Sequence, residues 1–153
     1  EPSVPSDILI SLERTHCYGP CPPYTLVISG DGTVFFTGSY VPNVPKSAGK
    51  WQRTGVIKSR ITQEQLQQLL DAFEQADYFS LQDSYLDHDD GCPTVWTDSA
   101  SAYTSIQLGG RTKRVEHYLG CRYEGEGLGS YPKELTNLEE TIDRIVNTKQ
   151  WLQ

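Results

Sequence analysis

The segment His16-Cys17-Tyr18-Gly19-Pro20-Cys21-Pro22 concentrates more reactive side chains than any other part of the chain. Two thiols separated by three residues, with an imidazole beside them, have the donor chemistry to hold copper or zinc. They could also cycle between dithiol and disulfide, and Arg14 and His16 would then lower a thiol pKa. His16, Cys17 and Cys21 are therefore the candidate metal or redox residues. The competing reading is structural. Gly19 and Pro20 let the chain double back, so that a Cys17–Cys21 disulfide closes a small turn. A complete metal site would also require Cys92, Cys121, His88 or His117 to converge on this turn.

Other constellations are weaker. Asp87-His88-Asp89-Asp90-Gly91 offers clustered oxygen ligands. A calcium loop counted from Asp87 places Gly91 at the fifth position and Cys92 at the sixth, where an oxygen ligand and a glycine are needed. Gly125-Glu126-Gly127-Leu128-Gly129-Ser130 lacks the Lys-Ser/Thr of a nucleoside-triphosphate loop, and no parallel strand follows as a dinucleotide site requires. No nucleophile elbow presents a serine. Glu116 and His117 are adjacent in a strand and face opposite sides, so a hydrolase would need a different His–carboxylate pair, set in a cleft. Aromatic residues in loops and strand ends, including Trp51, Trp96, Tyr40, Tyr85, Tyr123 and Tyr131, are candidates for a recognition surface. Trp51 between Lys50 and Arg53 stands out among them. Asp87, Asp89 and Asp90 form a second, acidic candidate surface.

The elements that would position these groups follow from periodicity. Ile8, Ile10 and Leu12 alternate as in a half-buried strand. Tyr24–Ser29 and Thr33–Gly38 flank Gly30-Asp31-Gly32, a strong hairpin signal. Residues 39–54 read as a loop, and Gly55–Arg60 as a short strand. Thr62 and Gln65 make a capping box, followed by the stripe Leu66, Leu69, Leu70 and Phe73. Residues 82–98 read as an acidic loop. Ala100–Leu108 and Thr112–Tyr118 form a second hairpin turning at Gly109-Gly110. Pro132 suits a first helical position, and Leu135, Leu138, Ile142, Ile145 and Val146 stripe a terminal helix. The order predicts an α+β domain, with an antiparallel sheet of about five to six strands and two helices packed on one face. Tyr24-Thr25 and Tyr103-Thr104 recur in two hairpin-then-helix units, a candidate ββα repeat.

The run from Leu12 through Cys17-Tyr18-Gly19-Pro20-Cys21-Pro22-Pro23-Tyr24, with Ile28 and Asp31-Gly32-Thr33-Val34, resembles the opening signature of an uncharacterised family of bacterial exported and lipoprotein-type domains. The segments Leu66 to Tyr85 and Asp90 to Thr94 and the terminal helix are also similar to it. The resemblance covers nearly the whole chain. It implies an exported domain and supplies no catalytic residues. The Cys-Xaa3-Cys-Pro element is also similar to that of copper-delivery proteins of thioredoxin fold, but there a strand runs into a helix, whereas Pro22 and Pro23 lead into a strand.

Composition sets the remaining bounds. The 153 residues suit one domain: a polar leader at 1–6, then a single α+β domain at 7–153. The leader reads as what remains after removal of an export signal, with a lipid tether upstream as an option. No apolar run reaches the length of a membrane span. A net charge of −7 disfavours nucleic acid. Lys46, Lys50, Arg53, Lys58 and Arg60 share a stretch free of carboxylates, whereas 61–98 holds nine carboxylates and no Lys or Arg. Four cysteines fit an oxidising compartment, and of the three pairings Cys17–Cys21 with Cys92–Cys121 is favoured. The expectation is a noncatalytic binding or interaction module. It would lie in the periplasm, cell envelope or extracellular space, need no cofactor, and present loops 39–54 and 82–98 to a protein or a cell-envelope glycan. The alternative is a metal-handling or thiol-redox protein built on Cys17 and Cys21.

Overall fold

The computed structural model describes residues 7–17, 22–40 and 53–152. Its strands are β1 (Leu9–Arg14), β2 (Tyr24–Ser29), β3 (Thr33–Tyr40), β4 (Arg53–Arg60), β5 (Ser84–Tyr85), β6 (Thr94–Val95), β7 (Ser101–Leu108), β8 (Arg111–Tyr118) and β9 (Cys121–Arg122). Two α-helices, α1 (Gln63–Gln75) and α2 (Lys133–Val146), accompany them, with short 3-10 turns at Tyr78–Ser80, His88–Asp90 and Thr148–Trp151.

The expected antiparallel sheet of five to six strands is replaced by a mixed sheet of seven, ordered β4-β3-β2-β1-β7-β8-β5, and a separate two-stranded sheet of β6 and β9. The six long strands are antiparallel neighbours. The seventh, β5, runs parallel to β8, with Ser84 opposite Glu116 and Tyr85 opposite His117. The physical reason for the discrepancy is length. A two-residue strand completes no apolar–polar alternation, so β5, β6 and β9 carry no period to read.

Alternation governs the long strands. Ile10 and Leu12 of β1, Leu26 and Ile28 of β2, Val34 and Phe36 of β3, Ile106 of β7 and Val115 of β8 are all buried. The register sets Ile10 across from Ile28 and Ile106, and Leu26 across from Leu12 and Phe36, so these side chains share one face. Leu66, Leu69 and Phe73 of α1 and Leu135, Leu138 and Ile142 of α2 close the same core. Fully burying such side chains stabilises the fold by about 1.5–3 kcal/mol each.

Local chemistry ends the elements. At the β2–β3 turn, the Asp31 carboxylate accepts from the Thr33 amide at 2.9 Å and the Ser29 hydroxyl at 2.8 Å. Gly32 there has φ +89°, and a Cβ would come 2.5 Å from the Ile61 carbonyl oxygen, so only glycine fits. Thr62 and Gln65 exchange both bonds of the capping box. Pro132 sits one place earlier than expected. It is the N-cap of α2, and Lys133 is the first helical residue.

Candidate functional site

The residues singled out by sequence separate in space. Cys17 is disulfide-bonded, and His16 beside it is exposed. Cys21, Lys50 and Trp51 lie outside the described residues, as does the side chain of Arg53. Among the described residues, no three His, Cys, Asp or Glu side chains gather in a way that could hold a metal ion. Cys92 and Cys121 are joined by a disulfide with Cα atoms 5.2 Å apart. His88 uses Nδ1 on the Cys92 carbonyl at 3.0 Å.

The acidic segment spends two of its carboxylates on its own loop. Asp87 caps its 3-10 turn by accepting from the Asp89 amide at 2.9 Å. Asp90 accepts from the Leu86 amide at 2.8 Å and the Ser84 hydroxyl at 3.2 Å. Asp89 stays exposed. The cluster therefore shapes a loop, and the bonds it makes are those of Asx-type turns.

Two polar centres were missed by the sequence reading. On the inward face of β8, His117 places Nδ1 2.6 Å from a Glu139 carboxylate oxygen and Nε2 3.0 Å from the Tyr131 carbonyl. A carbonyl only accepts, so Nε2 carries a proton, and a second proton lies between Nδ1 and the carboxylate. Both residues are buried, at 0% and 1% side-chain exposure. Neither lines any of the described cavities. The second centre joins Arg14, Tyr24, Asp143 and Thr148. Arg14 Nε donates to Asp143 at 2.9 Å and to the Tyr24 hydroxyl at 3.0 Å. Tyr24 and Thr148 donate to the other carboxylate oxygen at 2.6 and 2.8 Å. Burial and then the Asp143 charge push the Tyr24 hydroxyl well above its ordinary range. Burial is the largest single influence on Arg14 and opposes its charge, but Asp143, Tyr24 and Glu139 together outweigh it and the guanidinium pKa rises. Both groups thus keep their protons, and the cluster anchors α2 to the sheet.

The signals for both centres were present in the period. Arg14 continues the inward series Ile8, Ile10, Leu12, so it needs a buried counter-charge. His117 shares parity with Val115, and Glu139 falls within the apolar stripe of α2.

Among the described residues, Trp96 is the most exposed large aromatic, and its backbone is tied on both sides. Trp96 follows β6 and is 53% exposed. Its amide donates to the Gly120 carbonyl at 2.8 Å. Its own carbonyl accepts from the Tyr118 hydroxyl at 2.7 Å, and the Tyr118 hydroxyl oxygen accepts from the Ser99 amide at 3.2 Å. A Cβ on Gly120 would collide with the Trp96 carbonyl and the Tyr118 ring, so glycine permits this close approach. The Arg122 guanidinium carbon lies 4.1 Å from the centre of the indole, a cation–π contact that fixes the ring. Val95 pairs with Cys121 and Thr94 with Arg122, so the disulfide ties β9 to Cys92, two residues before β6. Arg122 Nε is buried without a partner, an unmet cost of the kind tolerated at functional positions. Such an arrangement can bind by apolar contact and hydrogen bonding, and it holds no nucleophile or proton-transfer pair.

No curated protein matches the chain. Residues 8–146 match a family described as "Domain of unknown function (DUF6438)". That span covers both helices and every strand described above, and the chain is a member of this domain family.

Proposed function

We propose that the domain is a noncatalytic binding module of an oxidising, exported compartment, and that it presents the end of its 82–98 loop to a cell-envelope glycan. The observation that carries this reading is Trp96, more than half exposed on a backbone tied by two hydrogen bonds and a neighbouring disulfide. An aromatic immobilised before binding loses little conformational freedom on contact, which is what makes Trp an effective anchor. The flat apolar indole suits the apolar face of a sugar ring, and the cation behind it offers donors to hydroxyl or carboxylate groups. The Cys92–Cys121 disulfide and the engaged Cys17 support an oxidising compartment. Among the described residues, no helix is long and apolar enough to cross a membrane.

The test is co-sedimentation with insoluble peptidoglycan. The wild-type domain should pellet saturably, and Trp96→Ala should weaken retention about tenfold or more while leaving the unfolding midpoint unchanged. Retention equal in both proteins, or none at any polymer concentration, would refute the proposal. Free thiols at Cys17 and Cys21, or a stoichiometric metal in the native mass spectrum, would move the function to that turn instead.

A further inference from the structure

A cavity of about 390 Å³ opens between α1, the 3-10 turn after it, and the end of the β7–β8 hairpin. This volume lies in the range of small-molecule sites. Leu70, Phe73, Phe79, Ile106 and Leu108 supply the apolar part of its lining, and polar side chains supply the rest. Asp71, Glu74 and Asp77 stand among the lining residues and are exposed.

The charge is placed against the grain of the helix. Asp71, Glu74 and Asp77 cluster at the C-terminal end of α1, where the backbone dipole is already negative and cations are favoured. The last turn of α1 contains no basic residue. None of the three carboxylates takes part in an ion pair among the described residues. Asp71 accepts only from Gln67 at 3.1 Å and Asp77 from Ser80 at 2.9 Å, both neutral donors. Arg111 is the single cation of the lining, and its guanidinium carbon lies 3.8 Å from the centre of the Phe79 ring. The cavity thus joins apolar side chains to a rim whose three carboxylates outnumber its one arginine. Local electrostatics that work against a helix mark positions held for another role.

We propose that this cavity binds a free amphiphilic organic cation, with an alkyl or aromatic body on Phe79 and Leu108 and one ammonium or guanidinium group at Glu74 and Asp77. The site shares no residue with the Trp96 surface and does not depend on the glycan reading.

The probe is hexylammonium, titrated into the labelled domain and followed by amide chemical shifts. Hexanol and hexanoate of equal chain length serve as comparisons. Hexylammonium should move signals of residues 67–80 and 106–111 saturably, and should bind at least about fivefold more tightly than hexanol. Added salt should weaken it. Glu74→Gln and Asp77→Asn, both at exposed positions, should each reduce affinity severalfold, while Glu140→Gln on α2 leaves it unchanged. Equal binding of hexanol and hexylammonium, insensitivity to both rim substitutions, or no shifts at millimolar hexylammonium would overturn the proposal.

Discussion

Glu139 is a carboxylate where the apolar stripe of α2 calls for another leucine, and His117 is its counterpart on β8. Their separation of 2.6 Å within a site closed to solvent leaves each dependent on the other. Removing one partner of a buried pair strands the remaining charge, at a cost of about 3–5 kcal/mol. Glu139→Leu should therefore destabilise the domain by that amount in urea unfolding, and adding His117→Phe should recover part of the loss. A cost below about 1 kcal/mol for Glu139→Leu would show that the pair is not coupled as described. This pairing was open to a reading of periods, since each residue falls on the inward series of its own element. What periods cannot express is which inward strand position meets which inward helix position, and only the packing of α2 across the sheet supplies that. Trp96 was legible as a loop aromatic. Its rigidity was not, because it depends on Gly120, Tyr118 and Arg122, more than 20 residues away along the chain.

At the scale of elements, the β2–β3 hairpin was readable from Gly30-Asp31-Gly32, and its chemistry yields a pH dependence. The Thr33 amide, and then the Ser29 hydroxyl, lower the Asp31 carboxyl from its ordinary 3.8 to about 2. The folded state thus binds its proton later than the unfolded chain as pH falls. The stabilisation is complete above the unfolded value and is lost as pH drops from about 4 to about 2. Asp31→Asn should flatten the stability profile across that interval. An unchanged slope would contradict the turn geometry. The same paragraph of sequence, 82–98, shows where legibility ends. Its residues read as an acidic loop, yet β5 adds a parallel strand to the main sheet and β6 builds a second one. A strand of two residues is specified by its partners, here β8 and β9, and not by its own pattern. The count of strands and the mixed sense of the sheet both followed from this.

For the molecule as a whole, both helices supply side chains to one core, and the small β6–β9 sheet is fastened to it through Cys121, which is fully buried. Closing a separation of 29 residues, the Cys92–Cys121 disulfide restricts the unfolded chain by roughly 3.5 kcal/mol in the loop-entropy account. The same bond holds the strand that carries Arg122 beneath Trp96, so stability and the proposed contact surface share one fastening. Trp151, by contrast, packs on Phe36 with ring centres 5.0 Å apart, within the folded body. This difference makes the indole N–H signals a direct reporter. The decisive measurement is a titration of the labelled domain with a soluble N-acetylglucosamine-containing oligosaccharide, following those signals. The account predicts a saturable shift of the Trp96 signal, absent from Trp151 and abolished by Trp96→Ala without loss of the fold. A shift confined to Trp51 or Trp151, or no shift at saturating sugar, would contradict it.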